Sequence, residues 1–441
     1  MEIFQQILFG IILLIAVYFF SKRMALIKKL ILLGKAEGLH DQPMKRWKNV
    51  ALLALGQKKM FKNPTVALLH LLVYAGFIII NIEMIEIVMD GLFGTHRFLL
   101  GMLPYYYSFL INSFEILAAL VIFACVIFLV RRNLIHVKRL WSNELTGWPS
   151  KDANIILLVE IVLMMLFLKM NAADSLLQLK GIEPYANHST GEFYISSLLH
   201  PLMDRFSIET LLLTERICWW MHILGVLAFL NYLSWSKHLH IILAFPNAYF
   251  SRLEPNGKIK NMPAVQNEVL YAFQPESAPA ASSDPSPSSF GAKDVNDLSW
   301  KNLLDAFSCT ECGRCTAACP ANQTGKMLSP RRIMMATRDR AEEIGSKINQ
   351  QIEWRSDNRS LLYNYISEEE IRACTTCNAC VEACPVSINP LDIIVELRRY
   401  LIMEKSSSPQ EWTSMFGNIE NNFAPWKFSP DQRINWTKES T

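Results

Sequence analysis

The sequence lacks most of the features by which an enzyme with its own substrate chemistry is recognised. It contains no Gly-rich dinucleotide loop, no nucleotide-binding motif and no arrangement typical of a catalytic nucleophile. Charged residues make up only 19% of the 441 residues, and the net charge of +3 is too small to indicate a nucleic-acid partner. We therefore expect that any hydride or substrate chemistry lies in another subunit.

Cysteine is scarce outside two short runs. The runs hold eight of the ten cysteines, and the other two, Cys125 and Cys218, lie in apolar stretches. No disulfide framework remains, so we expect the cysteine-bearing part to face a reducing compartment.

The start of the chain has no basic leader, and no small-residue cleavage site follows the first apolar run. We therefore expect this run to be a retained membrane anchor.

The two cysteine runs share the spacing C-x2-C-x2-C-x3-C-P. In this pattern three thiolates of one run bind a [4Fe–4S] cluster, and the fourth binds the cluster of the other run. The crossing rule predicts one cluster held by Cys309, Cys312, Cys315 and Cys384, and a second held by Cys374, Cys377, Cys380 and Cys319. Pairs of the form C-x2-C also bind zinc, but two complete runs that each end in proline favour clusters.

Five apolar stretches are long enough to cross a membrane, in a chain that is 51% hydrophobic with a mean hydropathy of +0.18. They cover residues 3–20, 65–89, 109–130, 154–170 and 217–236. Lysine and arginine are concentrated after the first and third stretches. The positive-inside rule then predicts an external N-terminus and a cytoplasmic location for everything after Ser236.

Three histidines are candidate ligands of haem b. His70 lies early in the second stretch, His222 lies in the outer part of the fifth, and His240 follows 18 residues later. Since 18 residues are five full helical turns, we expect His222 and His240 to share one helix face about 27 Å apart, so that one helix could serve two haems. We expect His70 to pair with His240 or its substitute His238 near the inner surface. The position of an outer partner holds Ile80, and a structural or quinone-binding role is the alternative for each histidine.

Two carboxylates in the outer half of the second stretch, Glu83 and Glu86, are three residues apart and so share a helix face. They could provide a proton path for quinol chemistry, or they could extend to the outer surface of the membrane. The second interpretation is the simpler expectation.

We predict an all-α chain, with a five-helix transmembrane cytochrome b bundle followed by a helical dicluster ferredoxin. The predicted domains are residues 1–245 for the bundle, 246–294 for a connector, 295–405 for the ferredoxin and 406–441 for a partner-docking tail. The connector contains a Pro/Ser/Ala-rich tether at residues 274–289. Helix starts are predicted at Pro330, after the capping box of Ser367, and at Pro390.

These patterns resemble known families over nearly the whole chain. The membrane half is similar to the haem b (gamma) subunit of respiratory nitrate reductase and to the membrane subunit of heterodisulfide reductase, and it matches three of the four haem-ligand positions of that family. The cysteine-rich half resembles the dicluster ferredoxin of heterodisulfide reductase, anaerobic glycerol-3-phosphate dehydrogenase and glycolate oxidase subunits. Residues 418–426 look like the segment that precedes CCG-motif domains in membrane-bound Fe–S oxidoreductases.

The resemblance implies an electron-transfer subunit in the bacterial inner (cytoplasmic) membrane. Its implied cofactors are two [4Fe–4S] clusters and one or two haems b, with menaquinone or ubiquinone as substrate. The implied partners are a separate CCG-domain subunit, docked on the ferredoxin and on residues 411–436, and an electron-transfer flavoprotein. The alternative is a membrane-anchored ferredoxin that supplies a non-quinone target, has no haem and uses its histidines only structurally.

Overall fold

The computed structural model describes residues 3–278, 290–349 and 357–438. Its elements in these ranges are helices, which confirms the all-α prediction. Five helices are long and apolar enough to cross a membrane, and each contains most or all of one predicted stretch. They are α1 Ile3–Ile31, α2 Pro64–Phe93, α3 Tyr107–Asn133, α4 Trp148–Leu179 and α5 Ile208–Leu233.

The remaining helices belong to the connector, the cysteine-rich part and the tail. The longer ones are α6 His240–Tyr249, α7 Pro263–Phe273, α8 Trp300–Phe307, α9 Pro330–Asn349, α10 Pro390–Arg399 and α11 Gln410–Asn422. Short helices cover Pro43–Asn49, Phe98–Met102, His200–Met203, Arg314–Ala318, Pro320–Gln323, Glu368–Arg372 and Ala379–Ala383. The Ser367 capping box is present, and Asn389 caps α10, so both local predictions are confirmed. Of the predicted tether, residues 279–289 lie outside the described residues.

The five apolar helices pack into one bundle in which α4 contacts both α3 and α5. Glycines allow two helix pairs to approach closely. A Cβ at Gly91 would lie 2.5 Å from the ring of Phe9 on α1, and a Cβ at Gly76 would lie 2.4 Å from Val121 on α3. A larger side chain at either position would force the helices apart, so these residues help to set the helix spacing.

The fifth apolar helix ends earlier than the hydropathy suggests. It stops at Leu233, a turn follows, and His240 begins the separate helix α6. Asp152 on α4 fixes this turn, because its carboxylate accepts hydrogen bonds from the Ser236 hydroxyl at 2.7 Å and from the Lys237 backbone N–H at 3.2 Å. The expectation that His222 and His240 share one helix is therefore wrong.

A buried polar cluster lies at the end of the bundle that contains Glu83 and Glu86. Both carboxylates are 1% exposed, so the expectation that they extend to the membrane surface is wrong. The Arg97 guanidinium donates to Glu83 at 3.2 Å and to Asp174 at 2.7 Å, while the Tyr107 hydroxyl donates to Glu86 at 2.7 Å. Pairing inside the bundle replaces contact with water, because a buried carboxylate needs donors.

The cysteine-rich part packs against the opposite end of the bundle. Leu30, near the end of α1, is fully buried among side chains of α8 and α9, including Phe307 and Ala341. Just beyond α1, the Lys35 backbone N–H donates to the Leu298 carbonyl at 2.7 Å, and its carbonyl accepts from the Trp300 N–H at 3.1 Å. The first helix therefore anchors the two halves of the chain to each other.

Candidate functional site: two cysteine loops and a histidine group

The two cysteine loops have nearly the same backbone conformation. Glu311 and Thr376, at equivalent positions, both adopt a left-handed conformation, with φ of 54° and 57°. The fourth cysteines are extended before proline, with φ/ψ of −76°/118° at Cys319 and −75°/122° at Cys384. A short helix contains the third cysteine of each loop, and the two short helices, Arg314–Ala318 and Ala379–Ala383, pack against each other. The sequence repeat is therefore also a structural repeat.

The loops bring cysteines of different runs together. Cys315 lies within electrostatic range of Cys309, Cys312 and Cys384, and also of Cys380. Cys380 lies within range of Cys374, Cys377 and Cys319. The neighbours of each third cysteine thus include the fourth cysteine of the other run, which is compatible with the crossed prediction. Cys315 and Cys380 also pack in one cluster of side chains, so the two groups are neighbours.

The cysteine groups supply the thiolate donors that a [4Fe–4S] cluster requires. Within the described ranges, no three His, Cys, Asp or Glu side chains converge on a point that could hold one metal ion. A cube distributes its four thiolates over four iron atoms, so its ligands need not converge. Burial raises the pKa of the free thiols of Cys309, Cys380 and Cys384 to about 12. Binding of iron must therefore displace protons that burial would otherwise retain.

The first loop is fixed to the membrane half by buried ion pairs. Glu311, between the first two cysteines, is paired with Lys237 from the turn before α6 and with Arg338 on α9. Arg331 at the start of α9 is 1% exposed and donates to Glu144 at 2.7 Å and to the Arg139 carbonyl at 2.8 Å. These contacts hold the first loop against the segment that joins α3 to α4.

The second loop is more accessible than the first. Cys377 is the one exposed cysteine among the ten. Glu382, between the third and fourth cysteines, forms an exposed ion pair with Lys62 at 2.6 Å. Just beyond the loop, Asn247 donates to the Val386 carbonyl at 2.8 Å. The second loop thus contacts the bundle through its flank and leaves its cysteine turn open.

The inner histidines form a group beside the first loop. The imidazole of His70 lies within electrostatic range of His240 and of Arg314, which stands between the second and third cysteines of the first loop. The rings of His238 and His240 are 5.6 Å apart. Burial, together with the neighbouring imidazoles, lowers the pKa of His238 to about 3, so this ring is neutral.

All three candidate haem ligands have their Nδ1 atom engaged by an oxygen. The acceptors are Gln57 Oε1 for His70 at 3.0 Å, the Lys237 carbonyl for His240 at 3.1 Å and the Leu163 carbonyl for His222 at 3.0 Å. These acceptors place the proton on Nδ1 and leave the Nε2 lone pair available to a metal. In contrast, His238 Nδ1 is buried without a partner in the described chain.

The outer histidine has different surroundings. His222 is 1% exposed, and its ring packs near Phe167 at 6.2 Å. Ile80, at the position expected for an outer partner, is a buried apolar side chain. His96 and His188 lie near each other outside the bundle core, with rings 5.5 Å apart. The structure thus groups His70 with His240 and leaves His222 apart from them.

Three residues near the site were not predicted, because they reach the histidines or the bundle through contacts between separate parts of the chain. Gln57, Arg314 and the buried acid Glu311 carry no motif of their own. Glu311 and Arg314 could have been found only as the charged residues that lie between cysteines of the first run. Gln57 has no such signal, because its importance depends on the approach of a loop to α2.

Comparison with known proteins supports the prediction that the cysteine-rich part binds [4Fe–4S] clusters. Residues 304–388 match the family model of the 4Fe-4S dicluster domain. The chain is 28% identical to the probable iron–sulfur-binding oxidoreductase FadF of Bacillus subtilis over 99% of its own length and 61% of that protein. It is 31% identical to the EtfAB:quinone oxidoreductase of Syntrophomonas wolfei over 53% of its length and 32% of that protein.

A third relative is the probable membrane-anchored ferredoxin of Chromohalobacter salexigens, which is 31% identical over 34% of this chain and 24% of that protein. The chain therefore spans less than two thirds of the length of each of these relatives. No solved structure matches the chain significantly.

Proposed function

We propose that the chain is a membrane electron-transfer subunit that connects a cytoplasmic redox partner with the quinone pool. The observation that carries this proposal is the position of the inner histidine group, with the His238 and His240 rings 5.6 Å apart, beside the first of the two cysteine loops. When bound, two [4Fe–4S] clusters and haem b would supply the one-electron redox chemistry. The quinone link rests on the likeness to a relative named EtfAB:quinone oxidoreductase.

The residues have distinct roles in this proposal. Cys309, Cys312, Cys315 and Cys384 hold the cluster near the membrane, and Cys374, Cys377, Cys380 and Cys319 hold the more exposed one. His70 and His240 hold the inner haem through Nε2, while His222 is the weaker candidate for an outer haem. The buried ion pairs of Glu311 and Arg331 keep the first loop at a fixed position relative to the histidines.

The exposed second loop and the tail form the proposed docking surface for the partner. On α11 the side chains of Trp412, Phe416 and Ile419 are each at least 40% exposed and recur at helical spacing. The Arg372 guanidinium, two residues before the second loop, lies 5.6 Å from the Trp412 ring. We propose a separate CCG-domain iron–sulfur subunit as the partner, with an electron-transfer flavoprotein as its electron donor.

The proposed location is the bacterial inner membrane, with the N-terminus outside and the ferredoxin domain in the cytoplasm. The support is the clustering of lysine and arginine in the loops after α1 and α3, on the side where the cysteine-rich part docks. Proposed domain limits remain 1–245, 246–294, 295–405 and 406–441, although α6, His240–Tyr249, runs across the first of them.

Paired substitutions test the crossed ligand sets. In purified protein, Cys309→Ser and Cys384→Ser should alter the same EPR signal of the reduced protein, and Cys374→Ser and Cys319→Ser should alter the other. Cys125→Ala, which removes a buried thiol on α3, is the control and should leave both signals unchanged. If Cys384→Ser instead matches Cys374→Ser, the clusters are not crossed.

The quinone link needs its own measurement. Protein reduced with dithionite should show a b-type α band, and a menaquinone or ubiquinone analogue should reoxidise both the haem and the clusters. Clusters that no quinone analogue oxidises, in protein without a b-type band, would refute this function. Such a result would favour the second candidate, a membrane-anchored ferredoxin, which the likeness to the Chromohalobacter protein supports.

A further inference from the structure

We infer that Gln57 is a positioning residue that sets the tautomer of His70 and thereby tunes the haem that His70 holds. The inference rests on the proposed function, because it needs a haem at the inner histidine group. The direct observation is the contact between Gln57 Oε1 and His70 Nδ1 at 3.0 Å. A side-chain amide oxygen accepts a hydrogen bond, so His70 donates from Nδ1 and presents the Nε2 lone pair.

The burial of Gln57 indicates that this contact is built into the fold. The residue is only 5% exposed, although it lies in the loop between α1 and α2. Its backbone is left-handed, with φ of 49°, which is an unfavourable conformation for a residue with a side chain. The surrounding turn fixes it there, because the Met60 N–H donates to the Gln57 carbonyl at 2.7 Å and the Lys58 N–H donates to the Leu52 carbonyl at 3.0 Å.

The two proposed inner ligands, His70 and His240, differ in their hydrogen-bond acceptor. Only the acceptor of His70 is a side chain that a substitution can change. His240 donates to the backbone carbonyl of Lys237, which no substitution can remove directly. His70 donates to a side chain that can be lost, shortened or charged. Partners of this kind orient a ligating imidazole and change its basicity, and their loss typically weakens metal binding about 10- to 100-fold.

The chain offers a matched control. Gln42 lies in the same loop and also has a left-handed backbone, with φ of 50°, but its side chain is exposed and donates to Asp41 at 3.1 Å. Substitutions at Gln42 repeat the chemical change and the backbone context without affecting His70. A difference between the two sites therefore reports the contact with the imidazole.

The test compares Gln57→Leu, Gln57→Glu and Gln42→Leu in purified full-length protein. The readouts are haem content per chain, the EPR g values of the oxidised haem and its midpoint potential, with the cluster EPR signals as a measure of intact folding. Gln57→Leu should lower haem retention about 10- to 100-fold or shift the g values. Gln57→Glu should retain haem but lower its midpoint potential, because a charged acceptor makes the imidazole more basic and stabilises the oxidised iron. Gln42→Leu should match the wild type in every readout.

Three results would overturn the inference. The first is wild-type haem content, g values and potential in Gln57→Leu. The second is an equal loss of haem and of cluster signals in both Gln57 variants, which would indicate a folding defect alone. The third is a wild-type protein without haem, which would also refute the haem part of the proposed function. In the first two cases the wild-type spectrum stays intact, so failure of the inference is distinguishable from failure of the function.

Discussion

Loss of the Arg97 guanidinium should destabilise the membrane bundle more than any other single change in its buried polar cluster. Arg97 is 4% exposed and donates to Asp174 at 2.7 and 3.0 Å, to Asn171 at 2.7 Å and to Glu83 at 3.2 Å. Arg97→Gln would leave two carboxylates buried without their cation. Breaking a buried pair in this way costs about 3–5 kcal/mol, which is a large part of a typical folding free energy of about 5–15 kcal/mol.

Thermal unfolding of the purified protein in one detergent is the appropriate assay. At roughly 2–4 °C per kcal/mol for a unit of this size, Arg97→Gln should lower Tm by roughly 6–20 °C. Arg97→Lys keeps the charge but loses the planar guanidinium that donates to several acceptors at once, so its Tm should fall by an intermediate amount. Arg205→Gln removes an exposed arginine and should stay within about 0.5 kcal/mol of the wild type. If Arg97→Gln behaves like Arg205→Gln, the cluster does not stabilise the bundle.

Three further changes test the cysteine-rich part. Arg331→Met should lower the free energy of unfolding by about 2–3 kcal/mol, because it removes charge-assisted hydrogen bonds to Glu144 and to the loop between α3 and α4. Limited proteolysis between the two halves of the chain should then be faster. Gly313→Ala should reduce iron content, since residue 313 has a φ of +72° and the new Cβ would lie 2.5 Å from the Arg331 guanidinium. The control Gly325→Ala should retain iron, because residue 325 has a similar φ of +83° but open space around it. Ser367→Ala should lower stability by about 1 kcal/mol in denaturant unfolding, because it removes a capping box.

The predictable features of the fold are those determined locally. Apolar length predicted the five long helices, and the capping signals at Ser367 and Asn389 predicted helix starts, because each depends on residues within a few positions. The break after Leu233 was not predictable in this way. It depends on Asp152, which lies on another helix and accepts hydrogen bonds from the turn.

The same distinction applies to the site. The spacing of the cysteines predicted two similar loops, because the repeat depends on residues within a few positions, whereas the crossed ligand sets stay a prediction. The burial of Glu83 and Glu86 was mispredicted, because their donors Arg97 and Tyr107 lie outside α2 and not on its neighbouring turns. The contact between Gln57 and His70 also depends on a loop that folds back, and periodicity contains no information about such a contact.

The proposed exchange of fourth cysteines between the two loops has a consequence for how the protein is made. A ribosome completes the first run well before it reaches Cys384, and helix α9, Pro330–Asn349, lies between the two runs. The three leading thiols of the first run therefore have no fourth ligand from the protein during most of translation of this domain. With crossed sets, neither cluster has four ligands until the second run is translated, so cluster insertion should be a late maturation step, and a chain truncated before Cys374 should acquire neither cluster in stable form.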